Sequence, residues 1–324
     1  MITNVLRKTL LPTLLFLFAL PLAAQVNDTY VIPASANAGG AFGTRWMTQF
    51  SIFNPQAYEL NVAVVYMPTG AAVPIERSVR VPANSVAFSD NIVDDLFDMT
   101  GTGALLIATF PEDNPTVPDE VVARSFLVTS NTFNNASSGT FGQTIPGTWV
   151  GLLDYEFDGI SSVAHGIRNV SRLGWRTNVG AANLGRCNAV LRVSVYDVNG
   201  QTILDKARFN IPPLSHFQDR LPVEVDRGSV EFFVEDPCVN RPDDAAVVFP
   251  YTSQIDQLSG DPTYQNPTLL ASPGLLYGKT GVKIDPANVG KRIDTTNARN
   301  VRSSAKKLAP AELELSGNGY KIVK

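Results

Sequence analysis

Trp46-Met47-Thr48-Gln49-Phe50-Ser51-Ile52-Phe53-Asn54 lies over Trp175-Arg176-Thr177-Asn178-Val179-Gly180-Ala181-Ala182-Asn183 when the chain is slid along itself by 129 positions. Self-similarity at a fixed separation marks a repeated structural unit. At 130 positions Tyr66-Met67-Pro68-Thr69-Gly70 falls on Tyr196-Asp197-Val198-Asn199-Gly200, and Val81-Pro82 on Ile211-Pro212. At 125 Gly103 meets Gly228, Val122 meets Val247 and Phe126 meets Tyr251; at 121 Ser138-Gly139 meets Ser259-Gly260. Offsets that change only between matched blocks are what loop insertions between preserved strands produce. The sequence therefore reads as two homologous units of about 120 residues.

Within each unit the period is two. Trp46, Thr48, Phe50 and Ile52 alternate with the more polar Met47, Gln49 and Ser51, which describes a half-buried strand with Trp46, and by analogy Trp175, on the core side. Further strand-like stretches are 30–32, 61–67, 73–81, 85–88, 104–110 and 121–129, with partners at 191–196, 203–211, 215–218, 229–235 and 245–254. Asn199-Gly200 is a strong hairpin signal. The one helix expected in the body is a turn or two around Asn91–Phe97, capped by Asp90. Seven short alternating strands per unit point to an all-β chain of two tandem immunoglobulin-like antiparallel β-sandwiches.

The blocks Trp46-x-Thr48-x-Phe50-x-Ile52-Phe53-Asn54-Pro55, Tyr66-x-Pro68-x-Gly70, Val81-Pro82-Ala83, Gly101-Thr102-Gly103-Ala104-Leu105 and Gly260-Asp261-Pro262-Thr263-Tyr264 resemble a repeat of exported bacterial proteins. In that loosely defined family, immunoglobulin-like sandwiches occur in tandem, usually without assigned function. The resemblance spans roughly residues 30 to 270. It implies fold and compartment and carries over no catalytic residue. The second unit departs from it at Leu184-Gly185 and in its cysteines.

Arg7 and Lys8 precede an apolar run from Thr9 to Leu22 and the small residues Ala23 and Ala24. That is the pattern of a secretory signal peptide. The run is short for a membrane span and contains Pro12 and Pro21. The expected division is 1–24 signal peptide, 25–145 and 146–274 sandwich domains, and 275–324 a low-structure basic extension. The mature protein is then secreted, periplasmic or at the cell surface. In such an oxidising compartment, Cys187 and Cys238, the only cysteines of the chain, are expected to pair.

The chain has 324 residues, a formal charge of −4 and 44% hydrophobic residues. This excludes disorder throughout, and two histidines and two cysteines are too few for a multi-site zinc, haem or iron–sulfur protein. The charge is split. Residues 275–324 hold ten Lys or Arg against four acids, whereas residues 25–274 hold fourteen against twenty-six. A solvated tail is one reading, and attachment to an anionic envelope polymer, a lipid surface or another copy is the second. Nucleic acid is not an expected partner, because the body lacks a basic face.

Catalytic constellations are missing from the sequence. His165 and His216 stand in no nucleophile or metal motif, and adjacent Ser215 and His216 on a strand would face opposite ways. Asp94, Asp95 and Asp98 fall on the one helix, and Asp243-Asp244 in a loop. Asp154-Tyr155-Glu156-Phe157-Asp158-Gly159 begins like a calcium loop but has His165 where the closing Glu belongs. No cofactor or metal is expected. Trp149 and Tyr155, in the inter-unit segment, either pack between domains or form a ligand platform. The sequence thus points to a non-catalytic binding or scaffolding protein of the envelope or extracellular matrix, with a carbohydrate-binding protein as the alternative. In the exported chain neither cysteine should react with an alkylating agent until a reductant is added; two thiols modified without reductant, read by mass, would exclude the bridge.

Overall fold

The computed structural model describes residues 28–40, 43–70, 73–118, 120, 122–136, 139–150, 161–235, 247–269 and 296–323. The signal-peptide segment, Tyr155 with the calcium-like loop, Asp243-Asp244 and Cys238 lie outside them. The described chain is mostly β-strand. The first half contains β1 (Thr29–Gly39), β2 (Arg45–Asn54), β3 (Leu60–Pro68), β4 (Ile75–Val81), β5 (Ser85–Ser89), β6 (Gly101–Ala108), β7 (Leu127–Ala136), β8 (Gly139–Thr144) and β9 (Thr148–Trp149). The second contains β10 (Ser161–Asn169), β11 (Trp175–Asn183), β12 (Ala189–Tyr196), β13 (Thr202–Ile211), β14 (Ser215–Arg220), β15 (Val225–Glu235), β16 (Val248–Asp256), β17 (Pro262–Gln265) and β18 (Thr268–Leu269). Among the described residues no helix is long and apolar enough to cross a membrane.

Strand order is the same in both halves, place for place. The first half pairs β4-β3-β6-β1-β9 and β5-β2-β7-β8; the second pairs β13-β12-β15-β10-β18 and β14-β11-β16-β17. Long β1 also runs on from β6 to β2, which joins the first pair of sheets into one hydrogen-bonded network. The immunoglobulin order differs at its ends: there the first strand pairs the second and the last pairs the sixth. Here β1 takes its longest pairing with β6, and β7 pairs β2. The inner neighbours β2-β5 and β3-β6 are those of the immunoglobulin order; the terminal strands exchange edges, and β4 pairs β3 where that order sets the fourth strand beside the fifth.

One buried side chain recurs with its whole set of bonds. Asn54 donates to the carbonyls of Tyr58, Val81 and Pro82, and accepts from the Gln56 amide. Asn183 donates to Cys187, Ile211 and Pro212, and accepts from Gly185. Each side-chain amide satisfies carbonyls that the turn leaves without strand partners, where an unmade bond would cost about 1–3 kcal/mol.

Strand pairing changes two of the offsets between the units. Tyr66 points into the first core, among Val62, Val64 and Phe97, whereas Tyr196 points outward and donates to Glu231. The face-consistent offset through β3 is therefore 129, matching Ala63, Val65 and Met67 to Arg192, Ser194 and Tyr196; the extra residue is absorbed in the bulged β12–β13 hairpin. Likewise Val128 opposes Ile52 and Pro250 opposes Ala181, so the offset there is 122 and Phe126 does not match Tyr251. The match of Gly103 to Gly228 stands: a Cβ on either would strike the backbone carbonyl of Met67 or Tyr196 respectively.

The Asn199-Gly200 turn forms as expected. Gly200 takes a positive φ, and the Asp197 carboxylate accepts from the amides of Asn199 and Gln201. The body helix, α1 (Ile92–Asp95), is a single turn within the expected stretch, but Asp90 does not cap it. Asn91 holds that position without a side-chain cap, Asp95 accepts from Ser89 and the Asn91 amide, and Asp90 pairs with Lys321 instead.

β3 and β6 are apolar on both faces. Leu60, Val62, Val64, Tyr66, Leu105 and Ile107 fill the first core, while Ala63, Val65, Met67, Ala104, Leu106 and Ala108 form a second apolar layer on the outside of the same sheet. A strand buried on both sides reads as a near-continuous hydrophobic run, which Asn61–Met67 is. Ala182, Leu184, Leu214 and Phe249 of the second half cover this outer layer, with Ala298 and Val301.

Those last two residues belong to the segment expected to be a low-structure tail. Residues 296–323 instead form α2 (Thr296–Ser304), β19 (Lys306–Lys307), β20 (Glu312–Ser316) and β21 (Gly319–Val323). β19 adds parallel to β4 and β21 adds parallel to β5, so one strap closes both sheet edges on the same side of the first half. Its positive charge meets body acids. Arg302 bonds Glu76 (3.0 Å) and Asp113 (2.6 Å) and lies 4.4 Å over the Phe110 ring, Arg299 pairs with Glu112, and Lys321 with Asp90. Desolvation pulls the Arg302 guanidinium down, but the carboxylates of Asp113 and Glu76 outweigh it and hold it above its ordinary value. Arg302→Ala, which leaves buried Glu76 without its cation, should cost about 3 kcal/mol in urea unfolding. Arg299→Ala, at an exposed pair, should cost under about 1 kcal/mol; equal effects would refute the assignment of the anchor to Arg302.

Candidate functional site: a cleft between the two halves

β11 sets out the interface in registered rows. Side chains two apart on a strand share a face, and antiparallel partners stand beside them. Across β14, β11 and β16 these rows are Arg176 with Ile255, then Arg220, Asn178 and Ser253, then Gln218, Gly180 and Tyr251, then His216, Ala182 and Phe249. Hydrophobicity rises along them. Ala182 and Phe249 are sealed against the outer layer of β3 and β6, whereas Arg176, Asn178 and Arg220 line a cleft of about 360 Å³. Its opposite wall is the C-terminal half of β1 (Ala34 to Gly39), Gly40, Thr102 and Trp46.

A closed polar chain lies between the cleft and the apolar end. His216, 1% exposed, sits 2.7 Å from Tyr251 Oη through Nε2 and 2.7 Å from Thr69 Oγ1 through Nδ1. Tyr251 donates to Gln218 Oε1 at 2.8 Å, so it accepts from His216, and the neutral Nε2-protonated tautomer fits the network. The Gly70 amide bonds the His216 carbonyl, and Gln143 bonds Ser253 across the same junction. Burial pushes the imidazole down to about 3 and raises the phenols of Tyr251 and Tyr264 above their usual values. Gly180 is required here: a Cβ would lie 2.3 Å from Tyr251 Cζ. With both ring nitrogens taken and no solvent access, His216 clamps the halves together.

Arg176 is the least satisfied charge of the cleft. It is half-buried, its Nε has no hydrogen-bond partner, and among the described residues no ion pair includes it. Desolvation and then the neighbouring Arg220 charge both pull its guanidinium below the ordinary value. Arg220 itself donates to Ser171.

The expected sites fall out as follows. Trp46 and Trp175 are half-buried where core positions were expected, because each stands at the end of its strand where the sandwich opens. Trp46 lines the cleft, and Arg168 lies 4.7 Å over the Trp175 ring. Trp149 pairs through its backbone with Tyr30 on β9, while Tyr155 is outside the described residues. His165 is exposed, 3.2 Å from Gln265. Cys187 is buried at 8% exposure, and the bridge to Cys238 stays an expectation because Cys238 is not described. Ser215 donates to Pro212 on the side away from His216, as strand alternation requires. Arg176, Asn178 and Gln218 were not singled out by sequence; the available signal was the polar, copy-specific outer face of β11. No protein-family model and no curated protein matches the chain.

A buried neutral histidine gives a definite pH dependence. With a folded value of about 3 against about 6.5 unfolded, the unfolded chain binds the extra proton between these limits. Stability is therefore full above about pH 6.5 and falls as pH drops, by up to about 1.4 kcal/mol per pH unit for this residue. Urea unfolding at about pH 7 and 5.5 should lose stability in the parent and lose less in His216→Gln; equal losses would refute the clamp.

Proposed function

We propose that this chain is an exported, non-catalytic binding or scaffolding protein, built from two copies of one sandwich unit and working at the cell envelope or in the extracellular matrix. The observation that carries the reading is the cleft. It is formed by both halves at once, over a junction held by apolar packing and a sealed His216–Tyr251–Gln218 chain. The matching strand orders and the paired Asn54 and Asn183 networks support duplication and the resemblance to exported tandem repeats. Concave sites at domain interfaces with a few convergent polar groups are where ligands bind.

The alternative, carbohydrate binding through aromatics at the junction, gains from Trp46 at the cleft wall. An enzyme reading has less support, since His216 is sealed and, among the described residues, His165 bonds the Gln265 side-chain amide. The strap also changes the electrostatic reading, because Arg299, Arg302 and Lys321 are engaged within the chain.

Co-sedimentation of the mature chain with envelope fractions and insoluble polysaccharides, at low and high salt, tests the proposal. Binding to one fraction that survives salt is expected; a point mutation that abolishes a hydrolytic activity of the protein would overturn the non-catalytic reading, and no binding to any fraction would overturn the binding reading.

A further inference from the structure

Five features converge on the cleft. Its described charged lining is two arginines and one aspartate, Arg176, Arg220 and Asp219. Asp219 has the opposite strand parity to Arg220 and Gln218, which turns the arginine towards the shared face. Arg176 brings a half-desolvated guanidinium whose buried Nε has no hydrogen-bond partner and which, among the described residues, makes no ion pair. A planar donor fork of this kind matches a carboxylate in two-point geometry. Asn178, Gln218 and Gln143 add side-chain amides, and Thr132, Ser253 and Thr102 add hydroxyls. Trp46 adds an aromatic surface. Its Nε1–Cδ1 edge lies against Gly40, where a Cβ would fall 2.5 Å from Nε1, and both residues line the cavity.

Each element suits a different part of one kind of molecule. The indole offers an apolar platform with a polar edge, amides and hydroxyls suit a ring of hydroxyl groups, and Arg176 suits a single carboxylate. An apolar ligand would leave the Arg176 guanidinium and the Asn178 amide without partners, at about 1–3 kcal/mol for each. A neutral sugar would satisfy the amides and leave Arg176 as it is.

We infer that the cleft between the two halves binds a carboxylate-bearing saccharide, with Arg176 holding the carboxylate and Trp46 stacking on the sugar ring. This rests on the reading of the cleft as a binding site and names its ligand class. Recognition is by difference: the acid form is bound over its ester because only the acid pairs with Arg176, and that attraction offsets the desolvation of the carboxylate.

The probe is a set of short oligogalacturonates and their methyl esters, measured with the full mature chain by calorimetry. The acid form is expected to bind at least about tenfold more tightly than the ester, with affinity falling as salt rises. Arg176→Gln should abolish that preference while leaving the urea midpoint within error, since Arg176 makes no described protein bond. Trp46→Ala should weaken acid and ester alike by about tenfold. Equal affinity for acid and ester, or unchanged preference in Arg176→Gln, would overturn the inference and leave the binding-module reading standing. Absence of all saccharide binding, with envelope fractions still bound, would likewise overturn only the inference; absence of both would overturn the two together.

Discussion

The apolar outer face of β3 and β6 is the constraint that organises this molecule. Val65, Met67 and Leu106 would each forfeit about 1.5–3 kcal/mol if left in water, and they sit side by side with Ala63, Ala104 and Ala108. A lone sandwich with that face cannot remain solvated without association. Two covers meet the need: the sheet carrying β11, β14 and β16, and the α2 helix of the strap. Both come from later in the chain, so the first half depends for burial on sequence that follows it.

The cover is a twisted sheet laid on a twisted sheet, and such surfaces match well over part of their area. Where they match, the rows are Ala182 and Phe249. Where they part, the same strands present Asn178, Arg176 and Arg220. His216, Gln218 and Tyr251 stand at the change, satisfying one another where neither solvent nor an apolar neighbour would do. The cleft is therefore a consequence of the docking, placed at its wet end, and its polar lining is the continuation of an interface rather than a separate surface.

Legibility in the sequence followed the range of the interaction. The period-two alternation of β2 and β11, the hairpin at Asn199-Gly200 and the two-sided run at β3 are local, and the chain states them directly. The edge exchange of β1 and β7 is not local: nothing in a strand's own residues says which neighbour it takes. The strap failed for a different reason. Its order rests on Ala298 and Val301, a few backbone bonds to β4 and β5, and charge pairs to Glu76, Asp113 and Asp90, none of which produces an apolar period. A basic composition reads as a solvated tail until the acids that meet it are known. The site shared that fate, since Trp46 is on one half and Arg176 on the other, and only the docking brings them to one cavity.

Under the duplication proposed above, the two copies diverged according to their places in the stack. Where the first has Ala63, Val65, Met67 and Leu106 outside, the second has Arg192, Ser194, Tyr196 and Glu231. Arg192 and Arg208 pair with Glu235, Arg192 lies 4.1 Å over Phe233, and Tyr196 donates to Glu231. That face is a solvated network and asks for no cover. At the other end, the outer face of β2 and β7 mixes Gln49, Ser51, Thr129 and Asn131 with apolar Phe53 and Leu127, and Phe88 of β5 stands beside Ser51. The two units described meet at one junction, and that junction makes the cleft. Selection for a ligand there would act on Arg176 and Trp46 together, although their counterparts Met47 and Trp175 occupy the same strand positions in the opposite copy. Two residues so placed can hold one ligand only as members of the pair, which gives the duplicated chain something neither unit has alone.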